Sequence, residues 1–391
     1  MKSPAKPRIL AFIDWYLPGY KAGGPVTSLA TMIDRLKEDF DFYVITRNHD
    51  YMETEAYPEI EANTWIERDK HLHVYYFSPE KLNTQNLKKI ALSSEAETWY
   101  ITGIYSRYFS IIPLRLSRKV KIQRCVLAPR GMLSEHALGL KTVKKRIFLF
   151  FARMLQLYSR VVFQSTSEQE TIDIKGIVPD ASVVFAPNLP RLAGKEWKKS
   201  LAKKKASLEL IFLGRIAPEK NTLEAIEMLK DWSESTHYKS SADISLDIYG
   251  QVYNEAYWQR CQDLIRQLPS NISVRKKETV SPEVLPELLR KYHVLFLPSK
   301  GENFGHAIIE SMAAGLPVII SDQTPWKGLE KKGCGWDLSL SDREKFIDAI
   351  QSCIDLEDET YTKMSQSAFD YAKKVAEDDT ALQAHKYIFT Q

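Results

Sequence analysis

Short apolar runs of strand length alternate with amphipathic helical patterns along the whole chain, and this alternation most constrains the fold. The clearest helices are Pro25–Lys37 and Thr142–Tyr158. Strands are expected near Arg8–Ile13, Phe42–Thr46, His71–Phe77, Thr98–Gly103, Ile122–Ala128, Val161–Gln164, Ser182–Phe185, Leu208–Leu213, Ile244–Tyr249, Ile272–Val274, His293–Leu297 and Pro317–Ser321. Because strands that alternate with helices build βα units, the pattern predicts an α/β protein with two Rossmann-like domains and parallel sheets.

A Lys-rich stretch without apolar periodicity interrupts the pattern after Arg191. It predicts an N-terminal domain at 1–190, a basic linker at 191–207 and a C-terminal domain at 208–374. The last helix, about 375–391, can pack back on the first domain. With 391 residues, each domain is large enough to bury its own core.

Several classes of protein are excluded by what the sequence contains. No apolar run approaches the roughly 18 residues that a membrane span needs. The N-terminus is polar, and the four cysteines are far apart without a CxxC pair, so we expect a cytoplasmic protein without disulfides or zinc. Nucleic-acid binding is not expected, because the basic stretch lacks a known module.

The charge is nevertheless uneven, with 13 Lys and Arg against one acid, Glu135, in residues 101–160. A helix within this stretch, Thr142–Arg160, combines basic residues with Ile147, Phe148, Phe150 and Phe151. It is either a core helix with a basic edge or a peripheral contact to an anionic membrane, at the inner face of the cell membrane.

Three segments that follow predicted strands carry groups suited to anions or sugars, where open α/β sheets place ligands. In Leu17–Pro25, Gly23 and Gly24 allow close backbone approach before a helix N-terminus, although glycines also simply turn a chain. In Phe212–Asn221, Arg215 and Lys220 can clamp a diphosphate, or can pair with Glu219 and Glu224 on the surface. Asn221 followed by Glu224 is also typical of a helix start.

The third segment, Pro298–Pro317, places two acids eight positions apart. Glu302 lies in a glycine-bearing loop, and Glu310 follows two isoleucines within a helix. Such a carboxylate can accept hydrogen bonds from a vicinal diol such as a ribose. Two exposed acids on a helix flank are the alternative, which the apolar neighbours of Glu310 disfavour.

Together these segments resemble the retaining glycosyltransferases of family four, which have the two-domain GT-B fold. Glu302 and Glu310 match the two acids of the family signature, and the segment with Arg215 and Lys220 resembles its Gly-Arg…Glu-Lys element. Three further segments also match in family order, namely the loop with Gly23 and Gly24, Phe163–Glu168 and Ala186–Asn188. Residues Asp322–Trp326 resemble bacterial members that build surface polysaccharides.

The resemblance implies a role for each matching residue. Glu310 would bind the nucleotide ribose, while Arg215 and Lys220 would neutralise the donor diphosphate and the leaving nucleotide. Glu302 would contact the donor sugar. Further donor contacts would come from Gly23, Gly24, Asn303, Phe304 and Gly305. The N-terminal domain would be the acceptor side.

The sequence departs from the family where many relatives have a histidine. Arg130 stands there, and His136 is nearby, so both are candidate contacts to the acceptor or sugar. Asp39-Phe40-Asp41 has the form of a DxD metal motif, but its phenylalanine alternates with Phe42 as a core residue. We therefore interpret it as structural and expect no essential metal ion or other cofactor.

The sequence predicts a retaining, metal-independent hexosyltransferase. It would move a sugar from a UDP- or GDP-linked donor to a hydroxyl of a lipid-linked or growing glycan in bacterial polysaccharide biosynthesis. Two alternatives remain open at this point: a nucleotide-sugar epimerase of the same fold, and a non-catalytic binder of nucleotide sugars.

Overall fold

The computed structural model divides into two compact units, described here one at a time. The N-terminal unit extends to Leu189 and includes the chain again from Asp378, and the C-terminal unit is Pro190–Glu377. The structure describes residues 6–134, 142–191, 194, 196–238 and 241–390, without the side chains of 142–144 and 146.

The N-terminal unit is built on an eight-stranded sheet in the order β3-β4-β2-β1-β5-β6-β7-β8. Its strands are β1 Arg8–Phe12, β2 Asp41–Arg47, β3 Trp65–Asp69, β4 Leu72–Phe77, β5 Thr98–Thr102, β6 Arg124–Ala128, β7 Val162–Ser165 and β8 Ser182–Phe185. All neighbouring strands are parallel except β3 and β4. Strands β1, β5 and β6 are almost entirely buried, because helices cover both faces of a parallel sheet.

Helices of the N-terminal unit include the last helix of the chain. They are α1 Gly24–Leu36, α2 Thr84–Ser93, α3 Ile112–Ser117, α4 Thr142–Met154, α5 Glu168–Ile177 and α12 Asp379–Thr390, with a π-helical turn at Arg107–Ile111. On α12, the Phe389 ring lies 5.6 Å from that of Phe40 and 5.7 Å from that of Tyr100. The end of the chain therefore completes the core of its first unit.

The C-terminal unit is a six-stranded, all-parallel sheet in the order β11-β10-β9-β12-β13-β14. Its strands are β9 Ser207–Leu213, β10 Asp243–Tyr249, β11 Ile272–Lys277, β12 Val294–Leu297, β13 Val318–Ser321 and β14 Gly335–Leu338. Its helices are α6 Thr222–Glu234, α7 Glu255–Ile265, α8 Leu285–Leu289, α9 His306–Ala313, α10 Arg343–Asp355 and α11 Asp358–Ala376. Two Rossmann-like domains with parallel sheets are confirmed.

Two strands were not expected from the sequence, and both lie at the edge of a sheet. Strand β3 is antiparallel and largely exposed, and its charged sequence WIERD lacks the alternation of a half-buried strand. Strand β14 has only four residues. Edge strands are often short or charged, which protects them from pairing with other chains but also hides them from pattern analysis.

The segment expected as a basic linker belongs to the C-terminal unit. The Lys203 side chain is buried, and its Nζ donates to the carbonyl of Lys204 at 2.8 Å and to those of Ile354 and Leu356 at 3.4 Å. A cation at the end of α10 is favourable, because the last carbonyls of a helix carry partial negative charge. Trp197 Nε1 also donates to Ser365 Oγ at 3.1 Å.

In both sheets, strands are added first on one side of a central strand and then on its other side. In the N-terminal unit β1 lies between β2 and β5, and in the C-terminal unit β9 lies between β10 and β12. Loops that leave the carboxyl ends of such strands diverge and leave room for a ligand. The segments that the sequence singled out follow β1, β9 and β12.

Candidate active site

Arg215, in the loop after β9, is exposed and held by neighbours within that unit. Its guanidinium carbon lies 4.7 Å from the centroid of the Tyr253 ring. Its Nη2 is 3.4 Å from Glu219 Oε1, with 43% of the arginine side chain exposed. The expected alternative, a surface pair with Glu219, is thus present. Such an exposed pair contributes only about 0.5 kcal/mol, so it does not prevent Arg215 from meeting an anion.

Lys220 joins the second segment to the third. Its Nζ donates to Glu302 Oε1 at 2.5 Å, and the two side chains are only 19% and 10% exposed. Asn221 begins α6 with a left-handed backbone, and its Nδ2 donates to the Pro298 carbonyl at 3.0 Å instead of its side chain capping the helix. The sequence therefore located the helix start correctly, although the Asn221 side chain does not cap the helix as a capping box would require.

The loop with Glu302 and Phe304 is held by hydrogen bonds to residues that follow β13. Glu302 N donates to the Gln323 carbonyl at 3.0 Å, and Trp326 Nε1 donates to the Phe304 carbonyl at 2.5 Å. The Phe304 ring is buried 5.3 Å from that of Trp326, while Asn303 is exposed. Trp326, noted in the sequence only as a family feature, is thus a structural support of the loop.

Gly305 precedes α9 with φ of +75°, a conformation that favours glycine. A Cβ at this position would lie 2.8 Å from Ile308 Cδ1 and 3.3 Å from Trp326 Nε1. The backbone conformation therefore favours glycine where the loop enters the helix, and a Cβ there would also force the buried Ile308 side chain to shift.

Glu310 lies within α9, between the buried residues Ile309 and Ser311. Burial raises the pKa of its carboxyl to about 7, and the positive charge of Arg191 opposes this rise. In the described part of the chain, its carboxylate has no hydrogen-bond or ion-pair partner. An unpaired carboxyl group in this setting is suited to a ligand that brings its own donors. Sequence reasoning missed Arg191, because it falls in the segment interpreted as a linker.

The Gly23–Gly24 turn, in the N-terminal unit, presents backbone to open space. Gly23 has φ of +75°, and a Cβ added to either glycine would have no neighbour within 4 Å. The loop is anchored by the buried Asp50, whose carboxylate accepts from Tyr20 N at 3.0 Å and Lys21 N at 3.2 Å. Helix α1 has neither a side-chain cap nor an acidic residue in its first turn, so its N-terminus is suited to an anion.

Arg130 is engaged within the protein. Its Nη2 donates to Tyr100 Oη at 2.6 Å and its Nη1 to Asn188 Oδ1. Tyr100 in turn donates to Gln164 at 2.5 Å. Acceptor or sugar contact by Arg130 therefore stays a prediction, with two of its donors already used. His136 lies outside the described residues.

Both aspartates of the DxD sequence have basic partners. Asp39 Oδ2 is 2.8 Å from Lys386 Nζ, and Asp41 Oδ1 is 2.7 Å from His71 Nδ1. Phe40 is buried between them. In the described ranges no three His, Cys, Asp or Glu side chains group as a metal ion would require. The expectation of a metal-independent protein stays a prediction.

Comparison with known proteins agrees with this architecture. Residues 194–371 match the family described as glycosyl transferases group 1. A UDP-Gal:alpha-D-GlcNAc-diphosphoundecaprenol alpha-1,3-galactosyltransferase from Escherichia coli is 28% identical over 42% of this chain. A D-inositol 3-phosphate glycosyltransferase from Acidothermus cellulolyticus is 24% identical over 39%. The matched part spans only 41% and 36% of those two proteins.

Solved structures are similar over nearly the whole chain. A sucrose-phosphate synthase from Thermosynechococcus elongatus has a TM-score of 0.69 at 15% identity and covers 98% of both chains. WaaG, a glycosyltransferase involved in lipopolysaccharide biosynthesis, has a TM-score of 0.60 at 12% identity, covering 98% of this chain and 100% of its own. At these identities the likeness shows the fold. The protein has the GT-B fold of two Rossmann-like domains, and residues 194–371 of its C-terminal unit match the family of group 1 glycosyl transferases.

Proposed function

We propose that the protein is a retaining glycosyltransferase that moves a sugar from a nucleotide diphosphate to a hydroxyl of a lipid-linked or growing glycan, in bacterial polysaccharide biosynthesis. The observation that carries this proposal is the Lys220–Glu302 ion pair, with Arg215 in the same loop as Lys220. Lys220 and Arg215 are two cations in the loop after β9, paired with Glu302 and Glu219, and the exposed Arg215–Glu219 pair is weak enough to leave Arg215 able to meet a leaving nucleotide diphosphate. The group 1 family match over 194–371 supports the same reaction.

In this proposal the bond between the sugar anomeric carbon and the β-phosphate breaks, and both electrons leave with the nucleotide diphosphate. Lys220 and Arg215 stabilise the negative charge that develops on that phosphate. The acceptor hydroxyl oxygen bonds to the anomeric carbon from the leaving-group face, and its proton passes to the departing phosphate. Attack from this face retains the anomeric configuration.

Glu302 acts in this proposal mainly by holding Lys220. Glu302 Oε1 already accepts a hydrogen bond from Lys220 Nζ, and this bond holds the ammonium group against the loop after β12. The rest of the carboxylate can accept a hydroxyl of the donor sugar, together with Asn303, Phe304 and Gly305. Glu310 accepts from the ribose hydroxyls. Gly23 and Gly24 contribute backbone donors to the phosphate.

UDP is the donor nucleotide that we favour over GDP. The Escherichia coli relative carries UDP-Gal in its name and is 28% identical over the matched 167 residues. That relative also acts on a diphosphoundecaprenol-linked sugar by name, which supports a lipid-linked acceptor.

We also propose peripheral contact with an anionic membrane through α4 and the residue that follows it. Five apolar side chains are between 51% and 64% exposed and recur at the spacing of one helical face: Ile147, Phe150, Phe151, Met154 and Leu155. The opposite face is buried through Leu149 and Ala152. A core helix would not expose this stripe, and the surrounding excess of Lys and Arg favours anionic lipid headgroups. No helix in the described ranges is long and apolar enough to cross a membrane.

Two measurements test the transferase proposal. Thermal unfolding is followed with UDP, GDP and a panel of their sugars, because a ligand at 100 times its Kd stabilises a protein by about 2.7 kcal/mol. Release of the nucleotide diphosphate is then measured with and without a bacterial lipid-linked glycan extract. A transferase releases it only with acceptor, and an epimerase interconverts the donor sugar without release. Nucleotide-sugar binding with neither reaction would instead indicate a non-catalytic binder.

A further inference from the structure

A second polar cluster lies at the carboxyl edge of the N-terminal sheet, beside the Gly23–Gly24 loop in sequence. It draws one residue from the end of each of three neighbouring strands: Asp14 after β1, Arg47 at the end of β2 and Ser106 after β5. Strands β2 and β5 flank β1, so this is the point where the strand order reverses. Open α/β sheets bind their ligands at this point.

Hydrogen bonds and ring contacts hold this cluster together, and its side chains remain partly exposed. Asp14 Oδ1 accepts from Arg47 Nη2 at 3.0 Å, from Arg47 Nε at 3.3 Å and from Ser106 Oγ at 2.9 Å. The guanidinium is packed between rings, 5.0 Å from the centroid of Phe109 and 5.8 Å from that of Trp15. The Asp14 and Arg47 side chains remain 19% and 25% exposed, so a ligand can reach them.

Each member of the pair keeps hydrogen-bonding capacity. Asp14 Oδ2 and Arg47 Nη1 have no hydrogen-bond partner among the residues that the structure describes. Trp15 Nε1 is buried next to the guanidinium and also lacks an acceptor there. A rigid carboxylate acceptor beside a rigid guanidinium donor matches two adjacent hydroxyls, one donating and one accepting. The pair has no net charge, so it does not favour a phosphate as an isolated arginine would.

We propose that Asp14 and Arg47 form the acceptor subsite and bind two neighbouring hydroxyls of a neutral pyranose. This inference rests on the proposed glycosyltransferase function and names its acceptor class. It stands beside the earlier acceptor candidate in the same unit, Arg130, which is bonded to Tyr100 and Asn188.

The subsite is joined to the exposed helix α4 through one residue. Tyr105, next to Ser106 in the chain, packs with its ring 5.5 Å from Phe148 of α4. Lys145 of the same helix lies 5.4 Å from the Tyr105 ring centroid. A sugar at Asp14 and Arg47 would thus lie near the surface that we propose for membrane contact, as a lipid-linked acceptor requires.

The test measures, by NMR, saturation transfer from the 391-residue protein to methyl pyranosides of glucose, galactose, mannose and N-acetylglucosamine. The variant is Arg47→Ala, and the matched control is Arg8→Ala. Arg8 also pairs with a carboxylate, Glu95 at 2.6 Å, and lies 5.8 Å from the Tyr43 ring, but it begins β1 at the opposite edge of the same sheet. At least one pyranoside should bind wild type and Arg8→Ala equally, and Arg47→Ala at least about tenfold more weakly.

Three results would overturn the subsite: no pyranoside binding to wild type, equal binding to Arg47→Ala, or inorganic phosphate bound through Arg47 in place of pyranosides. Because Arg47→Ala could unfold, Arg47→Lys is measured beside it. The lysine keeps the positive charge but lacks the planar guanidinium group with its paired donors. We therefore expect weaker pyranoside binding at an unchanged melting temperature. Stabilisation by UDP is followed in parallel. Its absence in wild type would contradict the proposed function, whereas UDP binding without pyranoside binding would contradict this subsite alone.

Discussion

The two units use the same sheet position in different ways. At the reversal point of the C-terminal unit, charged side chains from the loops after β9 and β12 meet in a part-buried pair, Lys220 with Glu302. At that of the N-terminal unit, the loop after β1 ends in an open glycine turn, Gly23–Gly24, and the pair at the strand ends, Asp14 with Arg47, is 19% and 25% exposed against 10% and 19% for Glu302 and Lys220. In our proposals, one unit would hold the charged donor group and the other would admit the acceptor.

The two units also differ in how much apolar surface they expose. In the N-terminal unit, five exposed large apolar side chains lie together on α4 and the residue that follows it. Within the described residues, the C-terminal unit exposes only two large apolar side chains, Leu201 and Val284. A soluble nucleotide donor needs no such surface, but an acceptor anchored in lipid does. Under the proposed function, the two similar units would divide the chemistry, with the donor bound by the C-terminal unit and the acceptor by the N-terminal unit.

The largest effect is expected from Lys220→Ala, which removes the cation from the C-terminal pair. Loss of charge stabilisation on the leaving phosphate should lower kcat/KM by about 100- to 1000-fold. Lys230→Ala is the control, because that lysine also contacts a carboxylate, Glu234 at 3.7 Å, but lies on the exposed side of α6. Equal activity of the two variants would break the claim that the C-terminal unit holds the reacting phosphate.

Glu310→Gln should produce opposite effects on stability and on nucleotide binding. The folded-state pKa of about 7 exceeds the ordinary value of 4.5, so the folded protein binds this proton more tightly and loses stability as pH rises from 4.5 through 7. The glutamine variant escapes that loss and should be more stable than wild type at pH 8, by at most about 3 kcal/mol, and equal below pH 4.5. Urea unfolding at both pH values measures this difference.

The same variant should bind UDP less well, most clearly above pH 7, where the wild-type carboxylate is ionised and accepts ribose hydroxyls. The exposed Glu283 supplies the control Glu283→Gln, which should change neither quantity. A Glu310→Gln protein that bound UDP as wild type does would remove the ribose role from Glu310.

Gly23→Ala and Gly305→Ala compare the two units directly, since both glycines precede a helix at φ of +75°. Each alanine meets backbone strain of about 1–2 kcal/mol. Only at Gly305 does the added Cβ also meet a neighbour, Ile308 Cδ1 at 2.8 Å, so Gly305→Ala should lower the unfolding free energy by about 1 kcal/mol more. Chemical denaturation measures both. Equal losses would contradict an open turn in the N-terminal unit.

Sequence reasoning named more of the residues of the proposed C-terminal site than of the proposed N-terminal subsite, for a physical reason. Lys220 and Glu302 lie in two segments with distinctive residue types at fixed spacing, and the loops after adjacent parallel strands must meet. Asp14, Arg47 and Ser106 come singly from three strand ends, and no local pattern marks any of them. Arg191 was missed because a Lys-rich stretch without periodicity predicts a linker, although such a segment can pack on a domain through buried contacts such as those of Lys203.

The same limit applies to α4, whose exposed and buried faces could not be told apart from the sequence. Both interpretations contained the same apolar residues, and only the packing of Leu149 inward and Phe150 outward distinguishes them. The pattern of a helical stripe fixes which residues share a face, but not which of two apolar faces meets the rest of the unit.

Phe150→Ser tests the apolar face itself and has the smallest expected effect. Removing one of five exposed apolar side chains should weaken sedimentation with vesicles of anionic lipid by about tenfold, since a phenylalanine contributes about 1.5 kcal/mol when it leaves water. Ile172→Ser is the matched control, because Ile172 is 63% exposed on α5 of the same unit, outside the stripe. If both variants sedimented with the vesicles as wild type does at low salt, the proposal that α4 contacts lipid would be contradicted. If both weakened alike, vesicle binding would reflect total exposed apolar surface and not this helix.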